Sequence, residues 1–240
     1  MKMLSFRRLP ATPASCLLCH ALCPPSTAAG LCGGCLRDLQ QLAVRAEDVC
    51  PRCAGVSSGG AVCGQCQQKA PPFDALWTSV YYRPPVSGVL HSFKHLRDIS
   101  LAAPLAVLMK SLPPPWLAEQ DFDWVLAMPL SRERRLFRGF NQCEELLRLL
   151  AADFAWRPVP QSAVYRRFAP PQSTLAAEER RRNVRGIFEA VGNFNNCKVL
   201  LIDDVTTSGA TLGELSRTLK KAGACSVFAW TLASAKMKKF

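Results

Sequence analysis

Asp203 and Asp204 stand side by side between an apolar run, Val199–Ile202, and a turn rich in hydroxyls and glycine, Val205–Thr211. Consecutive branched aliphatic residues read as a strand buried on both faces, and Leu212, Leu215 and Leu219 then recur at helical spacing. The turn therefore joins the carboxyl end of a strand to the amino end of a helix, where open α/β sheets bind ligands. Backbone N–H groups of Thr206–Thr211 can cradle a phosphate there. Gly209 allows close approach, and Thr206, Thr207, Ser208 and Thr211 add hydroxyl donors. A phosphate alone would be repelled by two neighbouring carboxylates. The pair fits beside it when it holds sugar hydroxyls, directly or through Mg2+, which combines carboxylates with phosphate oxygens. The chemistry points to a phosphorylated sugar; the competing reading is a solvated Asp-Asp turn that caps a helix.

A second kind of chemistry lies in the cysteines. Eight of the twelve fall into four Cys-x-x-Cys pairs: Cys16/Cys19, Cys32/Cys35, Cys50/Cys53 and Cys63/Cys66. A two-residue gap lets both thiolates of a knuckle face one tetrahedral ion, and two knuckles complete a four-thiolate zinc site, so two structural zinc ions are expected. Sequential pairing of the knuckles is the simplest arrangement, and interleaved pairing fits the same spacing. Disulfides and a thioredoxin-like redox role are the alternatives; no signal for secretion and no βαβ pattern around the pairs favours either. With the sets complete, His20 and Cys23 are bystanders. Cys143, Cys197 and Cys225 are expected to be buried small apolar residues.

Positive charge is concentrated where an anionic ligand would need it. Met128–Gln142 carries Arg132, Arg134, Arg135 and Arg138 before a Gly139 turn, and Arg166–Phe188 carries Arg180, Arg181, Arg182 and Arg185 among prolines and polar residues. Arginine's planar fork suits phosphate oxygens. The first segment otherwise reads as a solvated basic loop. The second is a flap over a diphosphate, a track for a nucleic-acid backbone, or a solvated helix face. The formal net charge of +12 suits either ligand class.

These residues need a scaffold, and the chain supplies signals for one. A polar run ending in Pro71 and Pro72 separates a Cys-rich module, residues 1–70, from a longer periodic region, residues 71–240. In the second region, strands are expected at Leu76–Tyr82, Trp124–Leu130, Ser162–Tyr165, Lys198–Val205 and Ser226–Leu232. Helices are expected at Ile99–Leu112, at Asn141–Phe154 and from the phosphate loop to Ala222. Strands alternating with helices imply a parallel sheet. No apolar run is long enough to span a bilayer, and the N-terminus lacks the apolar stretch of a signal peptide. A cytoplasmic protein is expected.

The string Val199–Thr211 resembles the 5-phosphoribosyl-1-diphosphate (PRPP) signature of type I phosphoribosyltransferases. That resemblance implies that Asp203 and Asp204 bind the ribose hydroxyls. It implies that Val205, Thr206, Thr207, Ser208, Gly209, Ala210 and Thr211 bind the 5-phosphate, with Mg2+ accompanying PRPP. Thr206 departs from the pattern, which prefers an aliphatic residue there. The motifs taken in order are similar to the ComF/GntX family. They are the paired Cys knuckles, Pro129 and Leu130 with Arg135 and Arg138–Gln142, then Gln172, Leu175, Arg182, Asn183 and Phe188, then the acidic loop. His91–His95 also matches, with Lys94 as its key residue.

This likeness implies a type I phosphoribosyltransferase-like parallel sheet flanked by helices, preceded by a small double zinc ribbon. Lys94, Arg135, Arg138 and Arg182 would lie around pyrophosphate. It further implies a role in natural competence or in the use of external DNA. Two classes of function follow. One is a glycosyltransferase-class enzyme that moves a phosphoribosyl group from PRPP with release of pyrophosphate. The other is a non-catalytic protein that senses the ligand while handling single-stranded DNA or docking DNA-uptake proteins.

Overall fold

The computed structural model describes residues 14–23, 30–168 and 184–236 of the 240-residue chain. In chain order, two short strands, β1 (Ala14–Ser15) and β2 (Leu22–Cys23), precede α1 (Gly33–Gln40) and α2 (Gly64–Gln68). Then come β3 (Ala75–Tyr81), α3 (Val86–His95), α4 (Ala102–Ser111), β4 (Trp124–Ala127), α5 (Arg132–Arg138) and α6 (Gln142–Phe154). The chain continues with β5 (Val164–Arg166), β6 (Phe188–Ala190), β7 (Lys198–Thr206), α7 (Ala210–Lys221) and β8 (Ser226–Ser234).

The core is a four-stranded, wholly parallel sheet in the order β3-β8-β7-β4. Its inner strands are the most apolar stretches of the chain: Val199–Ile202 of β7 are completely buried, as are Val227, Ala229 and Trp230 of β8. That is the pattern of strands covered on both faces. Trp230 packs against Phe154 and Trp156, and its indole N–H donates to Ser79 Oγ at 2.9 Å, so the largest core side chain has no orphaned polar atom. Helix α6 packs on β4, β7 and α4, while α7 packs on β8.

Several boundaries differ from the sequence expectations for physical reasons. The strand from Trp124 stops at Ala127 rather than Leu130, because Pro129 has no N–H for a ladder. The helix expected over 99–112 begins as a 3-10 turn at Ile99–Leu101, capped by Asp98, before α4. The arginine segment contains a helix, α5, opened by Ser131 Oγ accepting from Arg134 N and closed by Gly139 at φ +83°. Helix α3 lies in a stretch where the sequence offers only the His91–His95 motif. Cys197 is only partly buried and Cys225 is exposed, against the expectation of core positions; both lie at strand ends rather than within the layers. Leu175, Gln172 and Asn183 lie outside the described residues.

The cysteine pairs assemble sequentially. The Sγ atoms of Cys16, Cys19, Cys32 and Cys35 lie within 4.8 Å of one another, and so do those of Cys50, Cys53, Cys63 and Cys66. Cys19 and Cys32 are 3.7 Å apart and Cys53 and Cys63 3.8 Å, close to the roughly 3.8 Å edge of a tetrahedron with Zn–S bonds of about 2.3 Å. Backbone N–H groups of Cys32 and Cys63 point at Cys16 Sγ and Cys50 Sγ. Burial pushes these two thiols up, but the N–H donors outweigh it and bring them down to about 6 and about 7, whereas burial pushes Cys35 and Cys66 up; the metal reading rests on the clustering of the sulfurs. Each set therefore fits one zinc ion. His20 and Cys23 belong to neither.

The Cys-rich segment is joined to the sheet by backbone hydrogen bonds. Val44 N donates to Ser79 O at 3.0 Å and Tyr81 N to Leu42 O at 2.9 Å, so Leu42–Val44 covers the open edge of β3. We expect elemental analysis of protein purified without chelator to find two zinc ions per chain, and the Cys50→Ser, Cys53→Ser variant to retain one. Structural zinc is worth about 10–16 kcal/mol in small modules, so chelation should unfold the segment and uncover that edge. Disulfides in place of zinc in freshly purified protein would refute the assignment.

Candidate functional site

The acidic pair sits at the carboxyl end of β7, and both side chains are nearly buried, at 8% and 5% exposure for Asp203 and Asp204. Lys94 reaches in from α3, its Nζ 2.8 Å from Asp204 Oδ1. Burial works against the charged ammonium, but Asp204, with Asp203 behind it, outweighs that and raises Lys94 above its ordinary value. Cys143, buried at the start of α6, donates its thiol to Asp203 Oδ1 at 3.3 Å. Burial and the two carboxylates push this thiol well above its usual range, so it stays protonated and serves as a donor.

Asp203 through Thr211 line one cavity of about 160 Å3 together with Lys94, Arg134, Arg138 and Arg166. Gly209 takes φ +74° immediately before α7, a left-handed conformation that turns the loop's amides over the helix start. The opposite wall comes from the turn after β4. Asn141 anchors it: Nδ2 donates to Met128 O at 3.1 Å and Oδ1 accepts from Cys143 N at 3.0 Å, fixing the start of α6 to the end of β4. Arg138 Nη1 donates to Gln142 Oε1 at 3.2 Å. Arg166, on β5, donates to Pro129 O at 3.1 Å and lies over the ring of Phe188.

Two polar atoms around the cavity have no partner among the described residues. They are Gln142 Nε2 and Thr206 Oγ1, in side chains only 1% and 3% exposed. An unsatisfied buried polar group costs about 1–3 kcal/mol, so a native fold keeps such groups only where something else satisfies them. Both residues line the cavity. The carboxylate oxygens suit a hard divalent cation such as Mg2+, whereas the neutral thiol of Cys143 does not.

The sequence-derived residues are thus brought together unevenly. Lys94, Arg138, Asp203, Asp204, Val205, Thr206, Thr207, Ser208, Gly209, Ala210 and Thr211 share the cavity. Arg135 does not line it; its guanidinium is ion-paired with Glu144 beside a separate hollow. Arg182, with Arg180 and Arg181, lies outside the described residues. Arg134 and Gln142, flagged in sequence only as part of the basic segment and the family motif, line the cavity too, as do Arg166 and Cys143, for which the sequence assigns no individual role. A lone cysteine carries no spacing signal, so Cys143 reads from sequence as core alone. Arg166 is signalled by the alternation of Val164, Tyr165 and Arg166, which puts it on the same side of β5 as buried Val164.

Comparison with known proteins places relatives beside this geometry. No protein-family model matches the chain. The DNA utilization protein YhgH of Salmonella typhi is 31% identical over 215 residues, spanning 85% of this chain and 89% of that protein. Competence protein F of Haemophilus influenzae is 29% identical over 222 residues, spanning 86% and 91%. A hypoxanthine phosphoribosyltransferase from Staphylococcus aureus overlays with a TM-score of 0.35 at 14% identity, covering 58% of this chain and 70% of that one. An overlap that small carries no argument, and the parallel sheet stands on its own strand pairings. Among the described residues no helix is long and apolar enough to cross a membrane.

The buried acid pair has a pH signature. Burial, and then the charge of Asp204, raise Asp203 to about 7 despite the opposing pull of Lys94. Between the ordinary carboxylate range and pH 7 the folded state holds a proton that the unfolded state has lost, so stability falls as pH rises through that window. Asp203→Asn should remove this slope and stabilise the ligand-free protein at pH 8 by about 1–3 kcal/mol, while changing little at pH 4. Denaturant unfolding at the two pH values measures it; an equal effect at both would show that Asp203 is ionised throughout.

Proposed function

This chain belongs to the ComF family, and from that premise we propose that it binds PRPP with Mg2+ and serves competence or the use of external DNA. In this reading residues 1–70 form a zinc-held module packed on a phosphoribosyltransferase-like domain, residues 71–240, in the cytoplasm. The observation that carries the reading is the cavity at the end of β7. A left-handed glycine loop, two buried carboxylates and three arginines converge there with two unsatisfied polar side chains.

Each part has a chemical role. The amides and hydroxyls of Thr206–Thr211 take the 5-phosphate, and Asp203 and Asp204 accept hydrogen bonds from the ribose hydroxyls. Thr206 Oγ1 and Gln142 Nε2 find partners on the ligand. Arg134, Arg138 and Arg166 face the diphosphate, with Arg182 assigned there by family likeness. Asp203 and Asp204 are the residues that would hold Mg2+, which would supply further positive charge. In transfer, the bond from ribose C1 to the diphosphate oxygen breaks, its electron pair leaves with pyrophosphate, and an acceptor nucleophile forms the new bond to C1. The arginines stabilise charge building on the leaving group. Lys94, released from Asp204 as a hydroxyl or cation takes that carboxylate, is free to join them.

A second reading, binding without turnover, is favoured by one feature. The arginine helix α5 exposes Phe137 at 74%, β5 exposes Tyr165 at 53%, and Phe168 just beyond that strand is 50% exposed. Exposed aromatics among arginines suit stacking on single-stranded bases.

Calorimetric titration with PRPP and Mg2+ separates the residues. Removing a charge-assisted hydrogen bond worth about 1.5–3 kcal/mol weakens binding roughly tenfold or more. Arg138→Gln should do this for PRPP and pyrophosphate but much less for ribose 5-phosphate, and Arg135→Gln should change little. The Asp203→Asn, Asp204→Asn variant should lose PRPP binding altogether. Equal loss in the two arginine variants, or unaltered affinity in the Asn variant, would refute the assignment. Single-stranded DNA binding that survives in the Asn variant but not in Phe137→Ala would favour the second reading, and pyrophosphate release with an acceptor would favour the first.

A further inference from the structure

The surface has a charge distribution that its net charge hides. At the carboxyl end of the sheet lie the arginines described above. On the other side of β3, where the Cys-rich segment meets the sheet, a cleft of about 530 Å3 is walled by Trp77, Trp116, Pro115 and Val49, with Glu47 and Glu119 beside them. Among the described residues no lysine or arginine lines it, in a chain whose formal charge is +12. Glu47 and Glu119 are exposed, and neither carboxylate has a hydrogen-bond or ion-pair partner among the described residues.

Both indoles are held in place by contacts outside the cleft. Trp77 Nε1 donates to Leu112 O at 3.3 Å, and Trp116 packs on Phe228 with ring centroids 5.0 Å apart and edge-on to Phe122. The facing wall, around Val49 and Pro51, brackets Cys50 of the second cysteine cluster and is joined to Val56 by a β-bridge. The walls are therefore preformed, and ordering them costs little on binding. Aromatic faces attract a cation through the ring quadrupole, and carboxylates at the mouth attract it over a longer range. The same carboxylates repel phosphate, so this cleft is not a continuation of an anion-binding surface.

We propose that this cleft docks an extended segment of a partner protein by receiving one of its arginine or lysine side chains between the two tryptophans and the two glutamates. The cleft is larger than one side chain fills, so a chain segment rather than a free amine is its occupant. The proposal is independent of the PRPP reading, since none of its residues borders the phosphate cavity.

The test is NMR titration of the 15N-labelled, zinc-loaded full chain with a blocked pentapeptide, acetyl-Gly-Gly-Arg-Gly-Gly-amide, at low salt. The indole N–H signals of Trp77 and Trp116 should shift and saturate by about 10 mM, the weak end of measurable binding. Those of the other tryptophans should stay put. The Glu47→Gln, Glu119→Gln variant, altered only at exposed positions, should bind about fivefold or more weakly, as expected for two exposed charge pairs. The norleucine peptide should not shift the signals. No shift with the arginine peptide, equal shifts with the norleucine peptide, or undiminished binding by the double variant would each overturn the proposal. Arginine amide saturating as tightly as the peptide would overturn the assignment of a chain segment.

Discussion

Two carboxylates withheld from water at the end of a central strand are the constraint around which this molecule is arranged. β7 must be apolar to lie between β8 and β4, yet near its carboxyl end it carries two adjacent acids that are almost fully buried. Such a pair is tolerable only with compensation from elements distant in sequence. Lys94 comes from α3 and the Cys143 thiol from α6, while the acids' own backbone supplies Asp204 N to Asp203 Oδ1 and Val205 N to Asp204 Oδ1. Even so the compensation is partial, since Asp203 rises to about 7. A ligand bringing hydroxyl donors or a divalent cation relieves what the protein alone leaves unrelieved. Affinity and ligand-free stability are thus set against one another at the same atoms.

Much of this is legible in the residues and some is not. The β7–loop–α7 unit can be read because three local signals agree there: an aliphatic run, a glycine able to take positive φ, and leucines at helical spacing. The cysteine knuckles are legible for a similar reason, since metal geometry fixes spacing in the chain itself. What depends on distant partners leaves no local trace. Cys143 is a small apolar-looking residue until Asp203 is brought beside it. The four arginines around α5 look alike in sequence, yet Arg135 turns to Glu144 while Arg134 and Arg138 turn to the cavity. Helical spacing separates them only once α5 is recognised as a helix, and its caps, Ser131 and Gly139, are the signal for it.

The two chemistries of the chain are mechanically connected. A four-stranded parallel sheet has two edges to protect, and here both are covered by irregular backbone: Leu42–Val44 on β3 and Arg157–Val159 on β4. The first of these belongs to the Cys-rich segment, whose two four-thiolate sets could each hold a structural metal ion. A second link runs from the other cluster to the phosphate loop. Lys236, just past β8, donates to Cys53 O at 2.7 Å, and a Cβ on Gly209 would lie 3.7 Å from Phe73 and 4.0 Å from Lys236. The glycine loop after β7 therefore lies against Lys236, which is hydrogen-bonded to the second cysteine cluster. Loss of metal from the second set would free the Cys53 carbonyl, loosen Lys236 and slacken the support beneath Gly209. Ligand binding would weaken without any cavity residue having changed. With a metal ion in the second set, the cysteine cluster would underpin the glycine loop through Lys236, which would give a physical reason for pairing cysteines in a chain whose parallel sheet already buries a core of its own.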